Sequence, residues 1–517
     1  LPIINSKMAF IGTIVKGAVN INDRFLTVNI KNAYRSQQNT LRKLLRKAAR
    51  TEFGKVYEFD RLLKSRELVR NFKRTIPIYD YDLIYRDWWH RCLRGEENIA
   101  WPKKIKYFAL SSGSSGAPSK QIPVSPDMLQ SMRRAGIRHF CTLSQLKVPS
   151  SFYEKNILLL GGSTHLNRIG NVFEGDVSGI LTKNLPGWVY SFYKPGKVIS
   201  MERDWNTKLD QITKEAKDWD VGIIAGVPAW VQILLEKIIN YYQLKHIHEL
   251  WPDFMIYAHG GVSFEPYKQG FVKLLGKEIL YMETYLASEG FLAYQKKYKH
   301  DAMQLVLRNG IFYEFVPFND KNFNSDGEIR NNARALTIKE IKEGEDYAVL
   351  ISTCAGAWRY LIGDTIRFTS VKDYEIVITG RTKQFLSLCG EHLSVDNMTS
   401  AINILSKEFG INIKEFTVAG IPYKNRFAHK WYVGSDKKVD SQNLCKRLDK
   451  VIMELNDDYT TERKAALKEI FVEILPNVVF YDWLEKIGKI GGQHKFPRVL
   501  KEKQLEDWQQ FAKGKNY

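Results

Sequence analysis

Cysteine is scarce in this chain, with five residues among 517, at positions 92, 141, 354, 389 and 445. They are scattered, odd in number and form no C-x-x-C pair. That argues against a disulfide framework and a thiolate zinc site, and fits a reducing, cytoplasmic setting. Long apolar runs are also missing: none reaches the roughly 20 residues of a membrane span, so stable membrane insertion is not expected. The short N-terminal MAFIGTIVKGAV, broken by Lys16 and lacking a small-x-small cleavage site, reads as a docking helix rather than a signal peptide. There is no internal repeat and no low-complexity linker. Neither the Walker phosphate loop nor the G-x-G-x-x-G dinucleotide fingerprint is present. Acidic residues are the minority charge, 57 against 77 lysines and arginines, for a formal charge of +20.

What is present is a globular composition, 44% hydrophobic and 13% aromatic, long enough for two to four domains at roughly 150 residues each. The basic excess favours an anionic partner but is spread along the chain. Its densest piece, TLRKLLRKAAR over 40–50, places Leu41, Leu44, Leu45, Ala48 and Ala49 at helical spacing with the basic residues opposite. This reads as a solvated helix face, since no zinc-finger, helix-turn-helix or aromatic RNA-binding signature accompanies it. No nucleic-acid partner is expected.

The first hundred residues read as mostly helical. Short apolar runs then alternate with helical patterns: NILLLGGS (156–163), VGIIAGVPAWVQILLEKII (221–239), DFMIYAHGG (253–261) and EILYMETYLASEG (278–290). Strands ending in glycines and alternating with helices indicate an α/β fold whose binding loops lie at the carboxyl ends of the strands. MQLVLRNGIFYEFVPF (303–318) reads as a β-hairpin turning at Asn309-Gly310, and 347–370 continues in strands. Beyond GRTKQFLSLCGEH a domain-sized remainder alternates helix and strand: helices near 397–408 and 440–456, strands near 412–421, 429–434 and 470–476.

Five motifs carry possible chemistry. In SSGSSGAPSK (111–120), glycines let backbone N–H groups converge on an anion, hydroxyls add donors, and Lys120 adds a point charge. METYLASEG delivers Glu283, Tyr285, Ser288 and Glu289 into one turn, where tyrosine can stack on a base, serine can bond a phosphate and glutamate can hold magnesium. WRYLIGDTIRF sets Asp364 after Gly363, where a carboxylate can accept ribose hydroxyls. Arg381 marks the composition shift, and Lys495 stands in the loop GGQHKFPRV. Each motif alone has an ordinary reading as a turn or a surface residue.

Together, in this order and spacing, the motifs resemble the adenylate-forming superfamily. Within it, SSGSSGAPSKQIPVS, GSTHLNRIGNVFEGDVSGI, HGGVSFEPY, YLASEGF, WRYLIGDTIRFTS and GQHKFPR resemble the auxin-responsive acyl-acid amido synthetase family, in its bacterial branch. The resemblance implies a large N-terminal α/β domain of mixed sheets and helices over 1–378 that binds ATP and the acyl substrate. A smaller, mobile α+β lid would follow over 379–517, with a hinge near 379–382. It implies ATP and Mg²⁺ as cofactors, a carboxylic acid and an amine such as an amino acid as substrates, and a monomer. Ser111, Ser112, Gly113, Ser114, Ser115 and Gly116 would cradle the phosphates with Lys120 beside them. Gly260, Gly261 and Val262 would line the adenine, Glu283 would approach its amine, and Tyr285 would stack on it. Ser288 would touch the α-phosphate, Glu289 would hold Mg²⁺, Asp364 would take the ribose, and Arg381 would sit at the hinge. Lys495 would neutralise the adenylate or the departing phosphates. His392 stands where relatives carry a lysine near the α-phosphate, which would slow the chemistry or make it pH-dependent. Leu286 is larger and less polar than is usual at its position. Two other readings remain open: acyl transfer to a thiol such as coenzyme A or a carrier, and a basic binding protein without catalysis.

Overall fold

A computed structural model describes residues 12–14, 16, 17, 19, 32–111, 120–487 and 496–514, apart from positions 147, 263, 265, 266, 299, 325, 326, 384, 412, 414, 436 and 438. It divides into two compact units, the first running through Ser111 and from Lys120 to Thr382, the second from Lys383 onward. Among the described residues no helix is long and apolar enough to cross a membrane.

The first unit is built on an eleven-stranded mixed sheet. From one edge its strands are Ile311–Pro317, Asp346–Thr353, Tyr360–Ser370, Glu375–Arg381, Met303–Leu305, Gly290–Tyr294, Leu280–Ala287, Ile256–Gly260, Val221–Gly226, Asn156–Leu160 and Tyr193–Lys194. From Leu280–Ala287 to Tyr193–Lys194 the pairing is parallel; on the other side it is antiparallel. Leu280–Ala287 is therefore the seam between the two halves. In the parallel half, strands are linked by helices such as Pro228–Tyr241, whose Val231, Leu234, Leu235 and Ile238 are buried as their spacing requires. A second sheet orders Lys120–Val124, Tyr107–Ser111, Val172–Asp176 and Asn167–Ile169.

The expected hairpin over 303–318 does not form. Met303–Leu305 pairs with Gly290–Tyr294 and Glu375–Arg381, whereas Ile311–Pro317 pairs only with Asp346–Thr353 among the named strands. A type I′ turn needs positive φ at both central residues. Here the positive values fall on Arg308 (60°) and Gly310 (73°), not on Asn309. The segment thus carries the chain between distant places in the sheet. The edge strand it reaches is covered by the helix Ala33–Ala48: Gln37 donates from Nε2 to the Ile311 carbonyl (3.2 Å) and accepts the Tyr313 N–H (2.8 Å). Leu41, Leu44, Leu45 and Ala48 of that helix are buried. The described part of the N-terminal segment is docked, with Gly12 N–H donating to Glu154 (2.9 Å) and Val19 buried beside Leu143 and Phe152.

The second unit carries a three-stranded sheet of Phe416–Tyr423, Arg426–Gly434 and Leu467–Leu475, with helices Val395–Glu408 and Ser441–Leu455. Ser394 caps the first helix through a reciprocal bond with Asn397. Tyr432, Phe480, Trp483, Phe496 and Trp508 form an aromatic core beside the sheet.

Candidate active site

The site forms where the carboxyl end of the seam strand meets Tyr360–Ser370 and Glu375–Arg381. Asp364 lies opposite Arg381 in the antiparallel register. Its carboxylate accepts from Arg381 Nε at 2.8 Å on one oxygen and from Tyr285 Oη at 2.5 Å on the other. Tyr285 and Asp364 are buried, 6% and 9% exposed, and Arg381 is half-buried. Burial, with Asp364 beside it, pushes the Tyr285 hydroxyl far up, so it stays a neutral donor. Gly363, at φ 96°, occupies a conformation that side chains rarely adopt, and its carbonyl accepts the Thr382 N–H (2.8 Å).

Glu289 follows the seam strand into this cluster and is 7% exposed. Burial and the neighbouring Asp364 charge push its carboxyl up to about 7, against a weaker downward pull from Lys120 and Arg381. No other residue donates a hydrogen bond to it among the described residues. Ser288 donates to the Leu110 carbonyl at 3.2 Å, tying the turn to the strand Tyr107–Ser111. Ser111 pairs with Lys120 across that sheet, so the two ends of the serine loop lie one strand spacing apart. Ser112, Gly113, Ser114, Ser115 and Gly116 lie outside the described residues, as does Lys495. Lys120 sits 5.4 Å from the centre of the Tyr81 ring, whose hydroxyl accepts the Gln121 N–H.

Gly260, Gly261 and Val262 end the neighbouring parallel strand. A Cβ on Gly260 would lie 2.5 Å from the Thr284 carbonyl oxygen, so only glycine fits against the seam strand here. Glu283 is paired in register with His259; burial, and then Asp301, raise its carboxyl. Leu286 is half-buried against the main core. Trp230 is buried and stacks on Trp205 with centroids 4.2 Å apart.

The structure thus gathers Tyr285, Ser288, Glu289, Asp364, Arg381, Lys120 and Ser111, with Gly260–Val262 and Glu283 on adjoining strands. His392 belongs to the second unit, where its Nδ1 lies 3.3 Å from Asp458 Oδ2. Sequence reasoning missed two supports. Arg359 is buried with Glu314 (Nη2 to Oε1, 3.0 Å) and donates to the carbonyls of Lys73 and Ile76, fixing the start of the Asp364 strand. Tyr81 holds the strand that begins at Lys120. The partners of the Arg359 side chain lie 45 or more residues away in sequence, where no local pattern connects them.

Comparison with known proteins finds relatives along most of the chain. Three models match: the GH3 family N-terminal domain over residues 24–193, the GH3 family central domain over 304–381 and the GH3 family C-terminal domain over 396–504. Among curated relatives, a jasmonoyl–L-amino acid synthetase, JAR6, of Nicotiana attenuata is 25% identical over 282 residues, 51% of this chain and 47% of the relative. The match thus spans about half the length of that relative. A 4-substituted benzoates-glutamate ligase of Arabidopsis thaliana, GH3.12, is 22% identical over 479 residues, 78% of this chain and 79% of the relative. The solved structure of a GH3.15 acyl acid amido synthetase shares the fold, with a TM-score of 0.60, 15% identity and 96% of each chain covered. With one family's N-terminal, central and C-terminal domains matched in order over well more than half its length, the chain belongs to the GH3 family.

Proposed function

We propose that this protein activates a carboxylic acid with ATP, forming an acyl-adenylate and releasing pyrophosphate, and then transfers the acyl group to an amine, an amino acid, to give an amide. The observation that carries this reading is the hydrogen-bonded Tyr285–Asp364–Arg381 cluster with the buried Glu289 beside it. A carboxylate is a poor electrophile, and adenylation supplies the leaving group. The protein's work is positioning and charge stabilisation.

In this reading Asp364, held by two donors, presents its carboxylate to the ribose hydroxyls. Gly260, Gly261 and Val262, with no bulk at Gly260, form the adenine floor beside Glu283 and Tyr285. Ser111 and Ser288 stand at the phosphates, with Lys120 as the point charge. Glu289 suits a divalent cation, because a buried carboxyl raised to about 7 is one that a cation would ionise. Among the described residues no group of three or more metal-ligating side chains surrounds it. Glu289 is the residue that would hold Mg²⁺ beside the phosphates. When bound, Mg²⁺ supplies charge neutralisation at the phosphates. Lys495 is proposed as the cation that meets the adenylate, and His392 as the second unit's polar group for the α-phosphate.

The test is pyrophosphate release with ATP, Mg²⁺ and a panel of acids. Jasmonic acid and 4-substituted benzoates come first, as the acids for which the relatives are named, with and without glutamate and pooled amino acids. Acid-dependent release, reduced by roughly a hundredfold or more in Asp364→Ala and stimulated by one amino acid, is expected. Release unaffected by Asp364→Ala, or no nucleotide binding by the wild type, would overturn the reading.

A further inference from the structure

The basic helix Ala33–Ala48, the helix Pro126–Cys141 and the turn Arg308–Gly310 enclose a groove of 910 Å³ in the first unit. It shares no residue with the carboxylate cluster. Five cations line it, Arg35, Lys43, Lys47, Arg134 and Arg308, against one acid, Asp127. That acid is engaged: it accepts from Lys47 Nζ at 2.6 Å and from Trp101 Nε1 at 2.9 Å. Arg308 donates from Nε to Ser36 Oγ at 2.9 Å, a neutral partner. Arg35, Lys43 and Arg134 form no ion pair among the described residues.

A solvated helix face explains basic residues pointing away from a core. It does not explain why cations from three separate segments, all of them exposed, line one cavity and focus positive potential there. Arg308 adds a second observation. It sits at φ 60°, a region that non-glycine residues seldom occupy and that clusters at functional sites. The cavity volume lies in the range of small-molecule sites, about 300–1,000 Å³, rather than that of a macromolecular surface.

We infer that this groove binds a small soluble polyanion carrying two or more phosphate groups. The three arginines offer planar paired donors to phosphate oxygens, and Lys43 adds a point charge. The inference stands independently of the adenylation reading, because no residue is shared.

The experiment titrates inorganic tripolyphosphate into the full chain by calorimetry and follows amide exchange with the same probe. The variants are Lys43→Ala with Arg134→Ala, and separately Asp364→Ala. The expected result is slowed exchange in 33–48 and 126–141, retained in Asp364→Ala. Affinity should fall roughly tenfold for each cation removed and weaken further with added salt. Matching thermal unfolding of the variants shows that their folds are intact. No slowing in either helix, or undiminished affinity in the double variant, would overturn the inference. So would binding confined to vesicles of phosphatidylcholine with phosphatidic acid, which would move the phosphate to a lipid surface.

Discussion

Glu289 in the first unit and Glu391 in the second are both buried glutamates, and their environments drive them in opposite directions. Burial alone would push either carboxyl up. Around Glu391 that push is overcome: His429 Nε2 lies 2.9 Å from one oxygen, and the N–H groups of Leu388, Cys389 and Gly390 donate to the carboxylate, holding it down to about 2. Around Glu289 burial prevails, the nearby Asp364 adds to it, and the carboxyl rises to about 7. A buried charge whose donors are all supplied by the fold anchors structure. One left short of donors beside a second carboxylate is held protonated, and in the proposed reading a cation from outside ionises it.

The sharpest way to break this comparison is to remove each carboxyl. Glu391→Ala takes the acceptor from three backbone N–H groups and a buried histidine. It should cost about 3–5 kcal/mol, read as a lowered urea midpoint for the second unit. Glu289→Gln should cost little stability and instead abolish Mg²⁺-dependent nucleotide binding. If the two variants lose equal stability, the distinction fails.

The pH dependence separates the two residues next. Glu289 has a native value raised from 4.5 to about 7, so folding favours its protonated form. Its contribution is fully present below pH 4.5 and is lost as pH rises through about 7, a swing of about 3 kcal/mol. Glu391, lowered from 4.5 to about 2, contributes above pH 4.5 and is lost as pH falls toward about 2, by a similar amount. Thermal unfolding of the Mg²⁺-free protein from about pH 5 to about pH 8 should therefore show a loss of stability that Glu289→Gln removes. Adding Mg²⁺ and ATP near pH 6 should release a proton, measurable as a calorimetric heat that changes with the buffer's ionisation enthalpy.

The smallest expected effect concerns the bond that orients Asp364. Tyr285→Phe keeps the ring and removes the 2.5 Å hydrogen bond. It should cost about 1–2 kcal/mol in nucleotide affinity with unfolding nearly unchanged. A larger loss of stability than of affinity would make Tyr285 a core residue only.

Much of this was legible in the sequence because it is local. The glycine-ended strands, the helix 441–455 and the turn bearing Ser288 and Glu289 each follow from a short pattern whose period matches one element. The hydrogen bond of Tyr285 to Asp364, 79 residues apart, has no local pattern; the order of the motifs assigns the two residues only to different parts of one nucleotide. The Asn309-Gly310 reading failed because a two-residue turn signal was outweighed by pairings with strands far along the chain. The Glu391–His429 and Arg359–Glu314 pairs leave no local trace, since they join residues 38 and 45 positions apart.

The Gln37 side chain has one more consequence. An eleven-stranded sheet that ended in a bare strand would offer unpaired backbone groups to any extended chain in solution, the usual route to edge-to-edge aggregation. Here the Gln37 amide occupies the outer groups of Ile311 and Tyr313, and Leu336 exchanges both hydrogen bonds with Phe315. At the opposite edge the strand is only two residues long and is followed by Pro195, which has no N–H to offer. The large sheet is thus closed to recruitment at both ends, and a single glutamine amide serves at one of them as a substitute strand.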